Sequence, residues 1–399
     1  MECGDRRPVS QVRYTEAGDA ALERAIADLL AEVTARASRV PQLDALMLGG
    51  SLGRGEGTYE HVPGGDRLAS DVELYLVGRS STLRDAARRL EREVAADGLG
   101  DVSAAWLHPG TLASGRGKNL SWKPSRTIRL YELAEGSRPL VGDPPEIRAI
   151  DPATLPLAEG VRLVLNRLAE AAPDVADGAA GAARWTDKIL MACGDTLLLD
   201  AGAYTVRYRH RAARVSRLEP SWPMPEGWRD MLVAAYERKL TGRPVSGHPE
   251  VAERVDQLLV ATLRAAVPRA ANVEVEPLRD FVSRYVMGAA RAHELLRYLP
   301  PVGPAATYEG LVVLARAARA GLRPTARALR QALAGRPMSL VLQAAALPLY
   351  LGISGRDPAL VEAARDGLGW GGMPAAELTR ASSAGALAHL LRRHWSVAT

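Results

Sequence analysis

The feature of this 399-residue chain that most limits its fold is the point at which β-type patterning stops. Residues 43–48 form a short apolar run that ends at Gly49-Gly50-Ser51. Residues 70–77 (SDVELYLV) alternate strictly, and residues 82–96 return to helical spacing. Two more strand-like stretches follow, 102–107 and 127–133, and Ala134-Glu135-Gly136-Ser137 turns the second into residues 138–141. Beyond Gly142-Asp143-Pro144-Pro145 the signals are almost all helical. The expectation is an α+β N-terminal domain (residues 1–145), a mixed β-sheet flanked by helices, followed by an all-α C-terminal region (146–399). The sequence GRPVSG at 242–247 marks a place where the helical region can divide.

An amphipathic first helix is expected over 20–36, with Asp19 as its N-cap. Downstream, helical spacing covers 157–171, 183–203, 229–240, 250–266, 278–299, 308–320, 325–334, 339–351, 358–368 and 374–394, punctuated by proline and glycine. The uncharged run between Arg336 and Arg356 is interrupted by Gln343, Pro348 and Gly352. It reads as a buried helix broken at Pro348 and not as a membrane span. No fixed-period repeat supports a solenoid.

Composition narrows the function classes. With 51 Lys and Arg, 46 Asp and Glu, and a formal net charge of +5, the chain lacks the dense basic patch of a dedicated nucleic-acid binder. Only Cys3 and Cys193 are present, too few for a thiolate zinc site, and they fit a reducing compartment. The N-terminus mixes acidic and basic residues and lacks the apolar core of a signal peptide, so a cytoplasmic location is expected.

The chemistry concentrates in residues 48–77. On an extended strand, Asp71 and Glu73 project from one face while Val72, Leu74 and Leu76 point into the core. Two carboxylates on one face are unfavourable unless they are well solvated or a cation sits between them. Oxygen ligands without a His or Cys cluster favour Mg²⁺ or Mn²⁺ over zinc. Gly49-Gly50-Ser51, at the end of the preceding strand, permits positive φ and directs backbone N–H groups and a hydroxyl at an anion, with Arg54 near enough to neutralise phosphate. A Walker loop is excluded because Glu56, not lysine, follows Gly55. A dinucleotide fingerprint fails on glycine spacing and on the missing crossover helix.

Gly-Gly-Ser followed by Asp-x-Glu on a strand resembles the DNA polymerase β-type nucleotidyltransferase superfamily. GSLGRGEG (50–57) is similar to the GSxARGE-type sequences of bacterial small-molecule and minimal nucleotidyltransferases. The resemblance covers roughly residues 20–142. It implies a nucleotidyltransferase domain in which Gly50 and Ser51 bind the triphosphate and Asp71 and Glu73 ligate the metals. The chain departs from the minimal group in its long loop over 58–69, where a small hairpin is expected at Pro63-Gly64-Gly65-Asp66. A third carboxylate, helping to hold metal or taking the acceptor proton, is expected of such enzymes. Glu132 on the strand over 127–133 is preferred to Asp101, which could instead cap the strand before it.

In the helical region Lys188 and Asp195 are seven residues apart and share a helix face, which makes Lys188 a candidate for contact with phosphate or nucleobase. The basic cluster Arg207, Arg209, His210 and Arg211 with Tyr208 could meet an anionic acceptor or form salt bridges between helices. The expected function is metal-dependent transfer of a nucleoside monophosphate from a nucleoside triphosphate to a hydroxyl of a small-molecule acceptor, releasing pyrophosphate. Two alternatives stay open: a protein or RNA acceptor, and a non-catalytic nucleotide sensor or antitoxin-like binder.

Overall fold

The computed structural model describes residues 13–97, 101–114, 127–178, 182–242, 249–270, 328–329, 338–370 and 373–398. The helices expected at 278–299 and 308–320, and all of that expected at 325–334 except 328–329, lie outside them.

The N-terminal part is a mixed four-stranded sheet with flanking helices. It contains β1 (Ala45–Leu48), β4 (Val72–Val77), β5 (Val102–Leu107) and β6 (Arg138–Gly142), in the spatial order β5-β4-β1-β6. β4 runs parallel to β5 and antiparallel to β1, and β1 runs antiparallel to β6. The alternation of β4 explains how the sheet is covered. Val72, Leu74 and Leu76 bury against α1 (Ala20–Ala37) and α3 (Leu83–Ala96). Tyr75 and Val77, in the opposite phase, pack with Leu130 and Leu133. Asp19 caps α1 as its pattern suggests, accepting the Leu22 N–H at 2.7 Å. The expected hairpin exists as β2 (Tyr59–Val62) and β3 (Gly65–Leu68), turning at Pro63-Gly64.

Three stretches of this part are helical where the sequence pattern suggested no helix. A one-turn helix, α2 (Gly50–Arg54), follows β1 at the glycine motif; five residues are too few to show a helical period. Pro109–Ser114 forms the short helix α4. Residues 127–133 are not a strand but part of helix α5 (Thr127–Gly136). The reason is burial on two sides: Leu130 and Leu133 face the sheet, while Tyr131 packs into the helical region's core. Apolar residues on both sides of a helix hide its 3.6-residue period.

From residue 157 onward the described chain is helical: α6 (Leu157–Ala176), α7 (Ala182–Asp200), α8 (Tyr208–Val215), α9 (Trp228–Thr241), α10 (Pro249–Ala270), α11 (Met338–Ser354), α12 (Pro358–Trp370), α13 (Ala375–Arg380) and α14 (Ala384–Ala398). Pro348 does not break α11, which continues through it to Ser354, so packing outweighs the lost backbone bond. The helix expected over 374–394 is instead two. Ala381 leaves the helical region at ψ 63°, and the Ser383 hydroxyl accepts the Ala386 N–H at 3.1 Å to start α14. Among the described residues no helix is long and apolar enough to cross a membrane.

Candidate functional site

β1 delivers its chain directly beside the acid pair. Leu48 pairs with Leu74, and the next N–H, of Gly49, donates to the Glu73 carbonyl at 2.8 Å. The turn then passes so close to β4 that side chains are excluded. A Cβ on Gly49 would lie 2.5 Å from the Tyr75 ring, and one on Gly50, where φ is +61°, would lie 2.5 Å from Glu73 Oε1. The first-turn N–H groups of α2 therefore begin at the Glu73 carboxylate. Ser51 is buried, its hydroxyl 3.0 Å from that of Ser70, which also accepts the Thr58 N–H at 2.7 Å.

Asp71 is exposed at the mouth of β4, and Glu73 is half-buried one pleat further in. The two share an electrostatic neighbourhood: burial, followed by the charge of Asp71, pushes the Glu73 carboxyl above the usual carboxylate range. The Tyr75 hydroxyl donates to Glu73 Oε2 at 3.0 Å, and Arg129 Nε donates to the same hydroxyl at 3.0 Å with its guanidinium 5.1 Å from the ring centroid. Tyr75 lies two residues beyond Glu73, so strand geometry alone puts it on the same face.

Glu132 occupies a different setting from the one expected. On helix α5, its Oε1 accepts from Arg211 at 2.5 Å and from the Tyr204 hydroxyl at 2.8 Å. Arg211 also reaches Asp195 at 2.9 Å, and Asp195 accepts the Tyr236 hydroxyl at 2.7 Å. Burial works to raise the Glu132 carboxyl, but the Arg54 and Arg211 charges outweigh it and hold the group below its ordinary range. Such a carboxylate is a weak proton acceptor. Its charge is nevertheless felt at Glu73, so all three expected acids are neighbours, the third tied to the helical region. Asp101, its rival, precedes β5 and is exposed.

Arg54 also departs from its expected place. It is buried, not presented to a phosphate: its guanidinium lies 5.0 Å from the Tyr208 ring centroid, Nε is 3.5 Å from Glu56, and Nε has no hydrogen-bond partner. Glu56 in turn accepts the N–H groups of Tyr208 at 3.1 Å and Arg209 at 3.5 Å, capping α8 across the domain boundary. The RGE portion of the loop is thus an interdomain fastener.

Lys188 stands on α7, its ammonium 4.4 Å from the Trp185 ring centroid, and the sequence gives it companions that patterning does not reveal. Lys239 of α9 and Arg167 of α6 both respond to the charge of Asp71, and Lys239 responds to Lys188 as well. Burial first, then Lys188, pushes the Lys239 ammonium down to about 7. One sequence signal could have found Lys239: it falls three residues after Tyr236 and seven after Leu232, on the covered face of its helix. Asp195, expected to share a helix face with Lys188, is buried in the Arg211 network.

Asp71, at the mouth of the acid pair, is thus felt by cations of two helices, Arg167 of α6 and Lys239 of α9. Two carboxylates, one exposed and one destabilised first by burial and then by its neighbour's charge, suit a hard divalent cation that takes its remaining ligands from water and phosphate. Among the described residues no cluster of three or more His, Cys, Asp or Glu side chains is arranged to hold a metal, in keeping with the commitment of Glu132 to Arg211. Comparison with protein-family models, curated proteins and solved structures finds no match to this chain.

Proposed function

We propose that this protein is a nucleotidyltransferase that binds a nucleoside triphosphate as its Mg²⁺ or Mn²⁺ complex and passes the nucleoside monophosphate to a hydroxyl of a small-molecule acceptor. The observation that carries the reading is the acid pair, Asp71 beside Glu73, with the Gly50-Ser51 turn at the Glu73 carboxylate and with Arg167 and Lys239 of the helical region within the field of Asp71. Acids alone would repel a triphosphate, and cations alone would give no reason for an acid pair. A metal-complexed polyphosphate is complementary to both.

In this reading Asp71 and Glu73 hold the metal. Mg²⁺ supplies charge neutralisation on the triphosphate and lowers the pKa of an acceptor hydroxyl. Gly50 and Ser51 backbone N–H groups hold phosphate oxygens, and the helical wall neutralises the departing pyrophosphate. Glu132 secures the wall to the sheet domain through Arg211 and has no proton to move.

One observation favours a second reading, a non-catalytic nucleotide binder: the third carboxylate is engaged in an ion pair. Incubation with each nucleoside triphosphate, Mg²⁺ and pooled hydroxylated metabolites separates the two. Pyrophosphate release with a matching mass shift in one metabolite, abolished in Asp71→Ala, is expected. Tight nucleotide binding without pyrophosphate would support the sensor, and no binding of any of the four would remove both readings.

A further inference from the structure

The residue after Gly50 and the residue before Asp71 meet side chain to side chain. Ser51 and Ser70 are 8% and 7% exposed, and their hydroxyl oxygens lie 3.0 Å apart. The chain fixes both beside the acid pair. Gly50 lies against Glu73, where a Cβ would come within 2.5 Å of Oε1, and Ser70 adjoins Asp71 in sequence. The long loop over 58–69 holds Ser70 in place. Thr58 closes the base of the β2–β3 hairpin, its carbonyl accepting the N–H groups of Ala69 at 2.9 Å and Ser70 at 3.1 Å, while its own N–H donates to the Ser70 hydroxyl at 2.7 Å.

Counting hydrogens shows what this pair lacks. Two hydroxyls carry two hydrogens between them. Their mutual bond uses one, and the Thr58 N–H fills a lone pair of Ser70 without using the other. One hydroxyl hydrogen is left over, and among the described residues no group accepts it. Thr58 Oγ1, in the same turn, does not take it, since that oxygen is buried without any hydrogen-bond partner. A buried hydroxyl with a hydrogen to spare calls for a group that only accepts, and an ionised phosphate oxygen is such a group.

We propose that Ser70 is a positioning residue for Ser51, its hydroxyl directing the Ser51 O–H at an oxygen of the bound polyphosphate. This rests on the nucleotide reading of the site. The relay runs from the Thr58 N–H to Ser70 Oγ, from the Ser70 O–H to Ser51 Oγ, and from the Ser51 O–H to phosphate. Each hydroxyl oxygen accepts one hydrogen and donates one, and no proton changes owner. The direction follows from the N–H. A hydroxyl that accepts becomes a better donor in turn, whereas the reverse direction loads Ser70 Oγ with two donors and leaves its own hydrogen without an acceptor. The 58–69 loop thereby acts at the site, because it supplies the N–H that starts the relay.

The test is a double-mutant cycle on the full chain, read by titration calorimetry with Mg²⁺ and inorganic tripolyphosphate, and separately with Mg²⁺ and each nucleoside triphosphate. Wild type, Ser51→Ala, Ser70→Ala and the double variant are compared, with thermal melts to check folding. Ser51→Ala should bind at least about tenfold more weakly, the loss of one hydrogen bond to a charged group. Ser70→Ala should bind about three- to tenfold more weakly in the wild-type background. In the Ser51→Ala background the same change should alter affinity by less than about twofold, since a residue that acts through another has nothing left to act on. Should Ser70→Ala not fold, Ser70→Cys, whose thiol is a weak donor and acceptor, takes its place in the cycle with the same pattern expected.

Equal losses from the Ser70 change in both backgrounds would show that it only shapes the hairpin, and would overturn the proposal, as would undiminished binding by either single variant. Nucleotide binding without that coupling overturns the proposal and leaves the nucleotide reading standing. Tripolyphosphate binding with the coupling, when no nucleotide binds, does the reverse. Failure of both ligands to bind wild type overturns both.

Discussion

Arg211 donates to Glu132 at 2.5 Å across 79 residues of sequence, and the same guanidinium reaches Asp195 at 2.9 Å. One buried cation therefore satisfies two acids, one from the sheet domain and one from the helical region. Breaking such a group by removing one member leaves the others buried and uncompensated, at a cost of about 3–5 kcal/mol. Arg211→Met is expected to lower unfolding free energy by that amount in urea, with loss of the transition shared by the two parts. Glu132→Gln, which keeps a hydrogen-bond acceptor for Arg211, should cost less. A retained activity per folded molecule in Glu132→Gln would fit its role as an anchor, and complete loss with unchanged stability would restore it to the chemistry.

Tyr75 donates to Glu73 and Arg129 donates to Tyr75, so in the proposed metal site they would support a ligand without touching the ion. Partners of this kind typically account for about 10–100-fold in metal affinity. Tyr75→Phe keeps the ring that packs against Gly49 and removes only the hydroxyl. The expected result is Mn²⁺ affinity reduced within that range, measured by calorimetry, with activity recovered at high Mn²⁺. Unaltered Mn²⁺ affinity would separate the hydroxyl from the site.

Glu159, in the first turn of α6, is 7% exposed, and burial pushes its carboxyl up to about 7. Because its folded pKa is raised, the folded state holds the proton over a range in which the unfolded chain, near 4.5, has lost it. Stability from this group is full below about 4.5 and declines as pH rises towards 7. Glu159→Gln should match wild type at pH 4 and exceed it at pH 8, by on the order of 1–3 kcal/mol. Parallel thermal melts at the two pH values check this, and equal melting temperatures at pH 8 would contradict it.

Much of the sheet domain was legible because one strand carries a strict binary code: Val72, Leu74 and Leu76 face α1 and α3, and Glu73 and Tyr75 face the other way. The glycine turn was legible because its requirements are local. Helix α5 was not, since Leu130 and Tyr131 bury against different cores and mimic alternation. Arg54 was assigned to phosphate from its place in the glycine loop and Glu132 to metal or proton transfer from the family resemblance, whereas their partners Tyr208 and Arg211 come from a helix more than 70 residues further on. Lys239 was hidden for the same reason: only the packing of α9 on α7 brings it beside Lys188.

The central claim is that Asp71 and Glu73 bind a divalent metal together with a nucleoside triphosphate. The most direct measurement is the electron paramagnetic resonance of Mn²⁺ titrated with the full chain and each nucleoside triphosphate, for wild type, Asp71→Asn and Glu73→Gln, with folding checked by circular dichroism. The account predicts a tight ternary complex with at least one nucleotide in wild type, weakened by at least about tenfold in each folded variant. Equal Mn²⁺·nucleotide binding in wild type and both variants would contradict it.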